Sequence, residues 1–510
     1  VFATYKNQPT QSWLIDLFFI TLTIGIFYML FLGTHPLFTP DEGRYSEVAR
    51  EMIVTGDYIT PRLNGVVFLD KPVFYYWLQA SSIALFGLKE WALRFWPSLI
   101  GVLGCVMTYF SGRLLFTRRA GILSAIILAT NPLYYGAAHY ANLDLEVAVF
   151  ISNTLLFILL GTQTSFSNRS RTLFLMFAYL FAGLAALTKG LIGLVFPILI
   201  TGSWIILLNR WRLLRQMHLI AGLLIFTAIT VPWYFLVQKA NPQFFHFFFI
   251  TQQWARFLTK ADFNNPSPVW FYIPILLAGF FPWSVFLIQA LSQQIKLVFK
   301  NHQQHASLVF LLLWSLIVFV FFSIPKSKTI GYILPLFPAL ALLVGNYLSN
   351  RWEKPYKTKK LFSYFTFIAI VCLLVLQFSA GSINQKTIKP LALQLKSIAT
   401  KQDEIITFYR YYQDLPIYLE RRITIVADWH APDIVHNDNW VRELWFGMPF
   451  QNTADWLIEE PTFWQRWKSH KRVFVLMNAR DYADFNKKAR HQSYQLNTYN
   501  DVVLISNRKV

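Results

Sequence analysis

Apolar residues recur along the chain in runs of roughly twenty, the length that crosses a hydrocarbon core of about 30 Å. The runs predict about eleven membrane-spanning helices, at 13–33, 94–113, 120–138, 144–161, 172–188, 190–208, 218–237, 268–291, 306–324, 331–349 and 361–381. The first run is too long for a signal-peptide core and lacks a small-residue cleavage site, so it is expected to be a retained anchor. The short loops between runs alternate in character. One set holds fifteen Lys and Arg, grouped around Arg118, Arg171, Arg212, Lys296 and Lys359, against a single acid, Glu353. The other set is nearly uncharged apart from Lys189, Lys326 and Lys328. The positive-inside rule places the basic set in the cytoplasm.

Three longer segments, 34–93, 239–267 and 382–510, then share the opposite side. Within the first, Pro72–Phe86 is apolar or aromatic at most positions. Counting it as a span would reverse every later loop, so a helix lying in the membrane interface is expected. From Lys386 onward the composition changes, with 18 Lys and Arg and 14 Asp and Glu in the last quarter of the chain. Short apolar runs at Ile423–Val426, Val473–Leu476 and Val502–Ile505 predict strands among helical stretches. The expected architecture is a polytopic α-helical membrane protein of 11 to 13 spans. Residues 1–381 form its transmembrane domain, and 382–510 a soluble, non-cytoplasmic α/β domain.

Composition agrees with the pattern. Of 510 residues, 55% are apolar or aromatic and 14% charged, where a soluble domain carries roughly a quarter charged. This excludes ordinary cytosolic, disordered and disulfide-rich classes. The net charge of +20 is spread over short loops and forms no stripe with interleaved aromatics, which argues against nucleic acid. Topogenic charge and attraction to anionic membrane lipid account for it. Cys105 and Cys372 both sit inside apolar runs, so neither a disulfide framework nor a zinc knuckle is expected.

Candidate chemistry concentrates in the uncharged loops and outer segments. Thr39-Pro40-Asp41-Glu42-Gly43-Arg44-Tyr45 follows the first span immediately. Adjacent carboxylates beside an apolar boundary raise the pKa of at least one, which suits a general base or a metal ligand. A helix N-terminus, with Asp41 as cap and Glu42 favouring the dipole, explains the same pair structurally. Asp70 and Lys71 offer a second acid–base pair in the same segment. Asp144 is a lone acid at a span edge, where charge is costly and usually functional. Lys189, Arg256, Lys326, Lys328 and Tyr332 are expected on the same side. Three carboxylates beside several cations suit an anionic ligand and acid–base chemistry, with a phosphate held while its tail stays in the bilayer. Each cation could equally be snorkelling to the interface.

Several runs carry a family resemblance: Asp41-Glu42-x-Arg44-Tyr45, Lys71-Pro72-x-x-Tyr75-Tyr76-Trp77, Arg94-Phe95-Trp96-Pro97, Thr188-Lys189-Gly190 and Lys326-Ser327-Lys328 through Gly331-Tyr332-Ile333-Leu334-Pro335. Together they resemble the GT-C polyprenyl-phosphate-dependent glycosyltransferases. Within these, the chain is similar to the bacterial aminoarabinose transferases that modify lipid A, themselves related to protein O-mannosyltransferases. The resemblance covers about residues 10–380. It implies an inverting transferase of the bacterial inner membrane, with active site and C-terminal domain facing the periplasm. The implied donor is undecaprenyl phosphate carrying 4-amino-4-deoxy-L-arabinose or a related amino sugar, and the acceptor a lipid A phosphate. By matching position, Asp41 resembles the catalytic acid residue at the sugar–phosphate junction and Asp144 a second cavity acid. Lys71, Arg256 and Tyr332 resemble the donor-phosphate ligands. Glu42, Arg44, Tyr45, Asp70, Lys189, Lys326 and Lys328 would line the cavity.

Two departures bear on metal. Family members can carry Glu where this chain has Asp70, and they show a His-Glu-His-like run where this chain has Thr251-Gln252-Gln253. His246, inside a phenylalanine run, is expected to pack at the interface. No metal or other cofactor is therefore expected to be required. A transferase of the same superfamily with another donor sugar or a protein serine or threonine acceptor is one competing reading; a transporter or lipid flippase is the competing class, but no internal repeat with matching broken spans is visible.

Overall fold

The computed structural model describes residues 11–255, 266–352, 357–384, 386–490 and 492–509. The chain divides into two compact units: 1–32 with 94–236 and 265–379, and 33–93 with 237–264 and 380–510.

The first unit is a bundle of apolar helices. Among the described residues, seven helices are long and apolar enough to cross a membrane: Phe95–Leu115, Asp144–Gly161, Asn168–Lys189, Leu219–Ala240, Ala306–Ser323, Ile330–Arg351 and Thr358–Ile383. Two bent pairs raise the number to nine if each is one span. Trp13–Met29 and Ile192–Leu207 are shorter apolar helices. All eleven apolar runs are thus helical, and this is a polytopic membrane protein. The bends are a departure from straight spans, and proline accounts for both. Arg118–Ala129 turns by 67° into Pro132–Ala138, and Val269–Gly279 by 109° into Trp283–Lys300, with Pro132 and Pro282 at the breaks. Proline removes the backbone donor and clashes with the preceding turn. Polar caps set other helix starts: the Thr117 side chain accepts from the Ala120 N–H at 3.0 Å and that of Ser167 from the Ser170 N–H at 3.2 Å.

The second unit joins the three segments that charge alternation puts on one side. Helix Asp41–Thr55 is followed by a hairpin, β1 (Arg62–Leu63) and β2 (Val66–Val67), turned by Asn64-Gly65 with both residues left-handed. Helix Phe74–Phe86 comes next. A six-stranded sheet follows from β3 (Glu404–Phe408), β4 (Thr424–Val426), β5 (Leu457–Ile458), β6 (Val473–Asn478), β7 (Tyr494–Tyr499) and β8 (Val502–Ser506), in the order β5-β4-β3-β6-β8-β7. Strands β3 to β6 pair in parallel, and β8 runs antiparallel to both β6 and β7. Each of the three predicted strand runs falls in this sheet. Strands β6 and β8 are buried almost throughout, so they appear as continuous apolar runs rather than alternating ones. Ile406, Val475, Phe463, Trp467 and Phe485 form the core beside them.

The outer segments are tied to this C-terminal part by specific bonds. The Asn64 side chain makes both a donor and an acceptor bond to the Ile423 backbone, at 2.9 and 3.0 Å. The Leu37 N–H donates to the Tyr418 hydroxyl at 3.0 Å, and Lys389 pairs with Glu90.

Candidate active site

In the second unit the site grows from helix Asp41–Thr55. Its N-cap is Pro40, which offers no side-chain acceptor. Glu42 supplies one instead: it is fully buried, and its Oε2 accepts the Phe38 N–H at 2.7 Å. Asp41 remains partly exposed and forms an ion pair with Arg44, three residues along the same face. Arg44 also pairs with Glu443, from the short helix Trp440–Trp445 of the C-terminal part. The Arg44 guanidinium lies 4.9 Å from the Tyr45 ring centre. Burial opposes its charge, but Tyr45, Asp41, Asp70 and Tyr76 outweigh burial and hold its proton above the usual arginine range.

Gly43 explains how the motif reaches this place. A methyl group there would fall 2.6 Å from the Asp414 backbone nitrogen, so only glycine lets the helix approach that strand of chain. Tyr45, Tyr75 and Tyr76 form an aromatic wall with ring centres 5.9 to 6.2 Å apart. The Tyr76 hydroxyl is buried with no hydrogen-bond partner among the described residues, and burial pushes its phenol well above the ordinary value. Lys71 donates to the Asp70 carbonyl at 3.2 Å. One turn beyond Arg44, buried Glu47 takes two 2.7 Å bonds from Arg50, yet burial still raises its pKa to about 7.

The first unit carries a second charged cluster. Asn142 accepts the Asp144 N–H at 3.0 Å and so fixes the start of helix Asp144–Gly161. Asp144 pairs with Lys189 from the end of helix Asn168–Lys189. The Lys189 ammonium sits 4.5 Å from the centre of the Tyr332 ring, and the Phe322 ring centre lies 5.4 Å from the same ring. Gly331 packs directly on the Asp144 carboxylate, with no room for a side chain. Acid, cation and aromatic face thus come from three separate spans. In the loop before Tyr332, Lys326 is exposed, whereas Lys328 is buried and donates to the Ser267 carbonyl at 2.9 Å and to that of Pro325. Burial lowers the Lys328 pKa.

The expected site residues therefore fall into two groups. Asp41, Glu42, Arg44, Tyr45, Asp70 and Lys71 belong to one unit, and Asp144, Lys189, Tyr332, Lys326 and Lys328 to the other. Arg256 lies outside the described residues. Among the described residues no three His, Cys, Asp or Glu side chains stand together as a metal site.

Residues 70–235 match the family described as dolichyl-phosphate-mannose-protein mannosyltransferase. An undecaprenyl phosphate-alpha-4-amino-4-deoxy-L-arabinose arabinosyl transferase of Enterobacter sp. is 32% identical over 362 residues, 70% of this chain and 63% of that protein. The match spans less than two thirds of that relative's length. The crystal structure of ArnT from Cupriavidus metallidurans bound to undecaprenyl phosphate superposes with a TM-score of 0.81 at 25% identity, covering 98% of this chain and 99% of the other. The chain belongs to the aminoarabinose transferase family of GT-C proteins. An Archaeoglobus fulgidus oligosaccharyltransferase in complex with Zn and sulfate shares the GT-C fold more distantly, at a TM-score of 0.55, 12% identity and 93% coverage of this chain (69% of the other).

Two features of this family member lie beyond the motifs. Glu443 has no motif around it: an acid in the first turn of a helix capped by Asn439 suggests only a dipole interaction. The Asp144–Lys189 pair joins two residues that stand out singly, because each is a charge at a span edge.

Proposed function

We propose that this transferase moves 4-amino-4-deoxy-L-arabinose, or a related amino sugar, from undecaprenyl phosphate to a phosphate of lipid A. Reaction would occur at the periplasmic face of the inner membrane. The observation that carries this reading is the likeness, over 98% of the chain, to ArnT bound to undecaprenyl phosphate. The reaction is a single displacement at the anomeric carbon: the acceptor oxygen forms the new C–O bond as the bond to the lipid phosphate breaks, with inversion. The family resemblance assigns Lys71, Arg256 and Tyr332 to the leaving phosphate, where the two cations would stabilise the charge that develops. Lys189, held over Tyr332 by Asp144, adds a third cation beside that aromatic ligand.

Acceptor chemistry sets the role of Asp41. A lipid A phosphate is already anionic and needs no general base. Asp41, oriented by Arg44 and through it by Glu443, would stabilise the positive charge that builds on the sugar ring. A hydroxyl acceptor would instead require proton removal. The match of residues 70–235 to the protein mannosyltransferase family favours that second reading, in which the acceptor is a protein serine or threonine. Neither reading is expected to require a metal.

Mass spectrometry of lipid A from a transferase-null Gram-negative strain expressing this chain tests the proposal, with an Asp41→Asn control. A pentosamine or hexosamine increment that the variant lacks is expected. An increment on membrane proteins with none on lipid A would move the assignment to the second reading.

A further inference from the structure

Behind the Asp41–Arg44 turn lies a buried polar cluster that the proposed transfer does not use. Glu47, Arg50 and Glu51 come from helix Asp41–Thr55, and all three are buried. Arg50 donates to both Glu47 oxygens at 2.7 Å and to Glu51 at 3.1 Å, so one guanidinium already serves two carboxylates. Facing them is the loop 409–414, which leaves the carboxyl end of β3 between β4 and β6, where the strand order reverses. Doubly wound sheets hold their ligands at such a point; in this chain helix Asp41–Thr55 comes to the loop instead. Tyr411 is buried, and its hydroxyl has no hydrogen-bond partner among the described residues. Glu47, Glu51, Arg50 and Asp414 all act on it electrostatically.

Asp414 adds a third, fully buried carboxyl. Its Oδ2 accepts from the Thr387 hydroxyl and from the Ile388 N–H, both at 3.0 Å, whereas its Oδ1 is buried with no partner among the described residues. The cations nearby are engaged elsewhere or exposed. Arg62 of the hairpin pairs with Asp57, Lys389 with Glu90 and Lys396 with Glu420. Lys386 and Arg410 are exposed, and Arg410 acts on Tyr412 together with Asp481 and Asp501. The helices packed on Asp41–Thr55, Phe74–Phe86 and Leu415–Leu419, bring only Tyr75, Tyr76 and Tyr418 as titratable groups. Burial pushes the Asp414 carboxyl up to about 7.

Gly43 passes this charge state to the motif. A methyl group on it would stand 2.6 Å from the Asp414 nitrogen and 2.7 Å from the Gln413 carbonyl carbon. Gly43 lies between Asp41 and Arg44, which pair across that same turn. We infer that Asp414 is a positioning residue for the Asp41–Arg44 pair: while its carboxyl is neutral the loop braces the turn, and loss of the proton loosens it. The proton goes to solvent, and the charge left on Asp414 has no cation beside two carboxylates that already share Arg50. The brace stands on this geometry alone; its effect on transfer rests on the role proposed for Asp41.

Two readouts on the purified full chain test it: hydrogen-exchange protection of amides 42–48, corrected for intrinsic exchange, and the rate of sugar transfer. Both should fall about tenfold from about pH 6.5 to about pH 8.5 as one proton is lost. Asp414→Asn, neutral at every pH, should hold both level. Thr387→Val removes a bond that favours the ionised carboxyl, so the midpoint should rise by about one pH unit. No fall in the parent chain, or the same fall in folded Asp414→Asn, would overturn the inference. If that variant does not fold, an unmoved midpoint in Thr387→Val would overturn it. Transfer that stays level while protection falls would overturn the positioning role. Exchange that follows the pattern without any sugar transfer would uphold the brace and count against the transfer proposed above.

Discussion

The two charged clusters are built in different ways. In the helical unit, Asp144, Lys189 and Tyr332 lie at the ends of apolar spans, and each partner is itself conspicuous in the sequence. In the other unit, Asp41 and Arg44 come from one short motif, but their third member, Glu443, lies about 400 residues away in a polar domain with many acids. A charge near hydrocarbon is expensive and so marks itself. A charge on a soluble domain costs little and is hidden among its neighbours. The first cluster is therefore a local economy of necessity, and the second depends on tertiary docking.

Substitutions can break this contrast, the largest effect coming first. Asp41→Asn should lower sugar transfer by about 10²–10³, the scale of losing one electrostatic stabiliser. Its melting temperature should stay within about 2 °C of the parent chain, because the side chain is partly exposed. Asp144→Asn should instead destabilise the chain by about 2 kcal/mol by leaving Lys189 unpaired; the figure is discounted because both side chains keep some solvent. The double variant Asp144→Asn/Lys189→Met should recover most of that stability and none of the activity. Recovery of activity as well would make the pair purely structural.

Glu443→Gln sharpens the other side. It should reduce transfer about tenfold by loosening Arg44, with the fold intact. No change would mean that the C-terminal domain does not act through Arg44.

A pH series probes the buried acids behind the Asp41 helix. Burial raises Glu47 and Asp414 to about 7, above their unfolded values of 4.5 and 3.8. The folded state therefore holds these protons more tightly. Their contribution to stability is complete below about pH 4 and is lost as pH rises through 7. Melting temperature of the purified chain should fall from pH 6 to pH 8, and Glu47→Gln should flatten that slope. The smallest effect expected is from metal removal: transfer should change by about twofold or less in EDTA, since Thr251-Gln252-Gln253 supplies no imidazole.

Much of the fold follows directly from hydropathy. All eleven apolar runs are helical, and the breaks at Pro132 and Pro282 carry a visible residue signal that run length alone conceals. Asn64-Gly65 is likewise a strong local sign of the hairpin found there. Other features have no local signal. Nothing in the outer segments announces that Asn64 bonds to Ile423 or that Gly43 meets Asp414, because docking depends on surfaces far apart in sequence. Lys328 shows the converse. Its position in a charged motif suggests a cavity cation, yet its ammonium is bonded to two backbone carbonyls and braces the loop before Tyr332.

In the proposed reaction Asp41 serves a transfer from a polyprenyl phosphate to lipid A. Its most direct test uses the purified full chain, undecaprenyl phosphate aminoarabinose and lipid A, and measures released undecaprenyl phosphate together with modified lipid A. One equivalent of each is expected, formed about 10²–10³ times more slowly with Asp41→Asn. Release that needs no lipid A, or that persists at the parent rate in the variant, would contradict it.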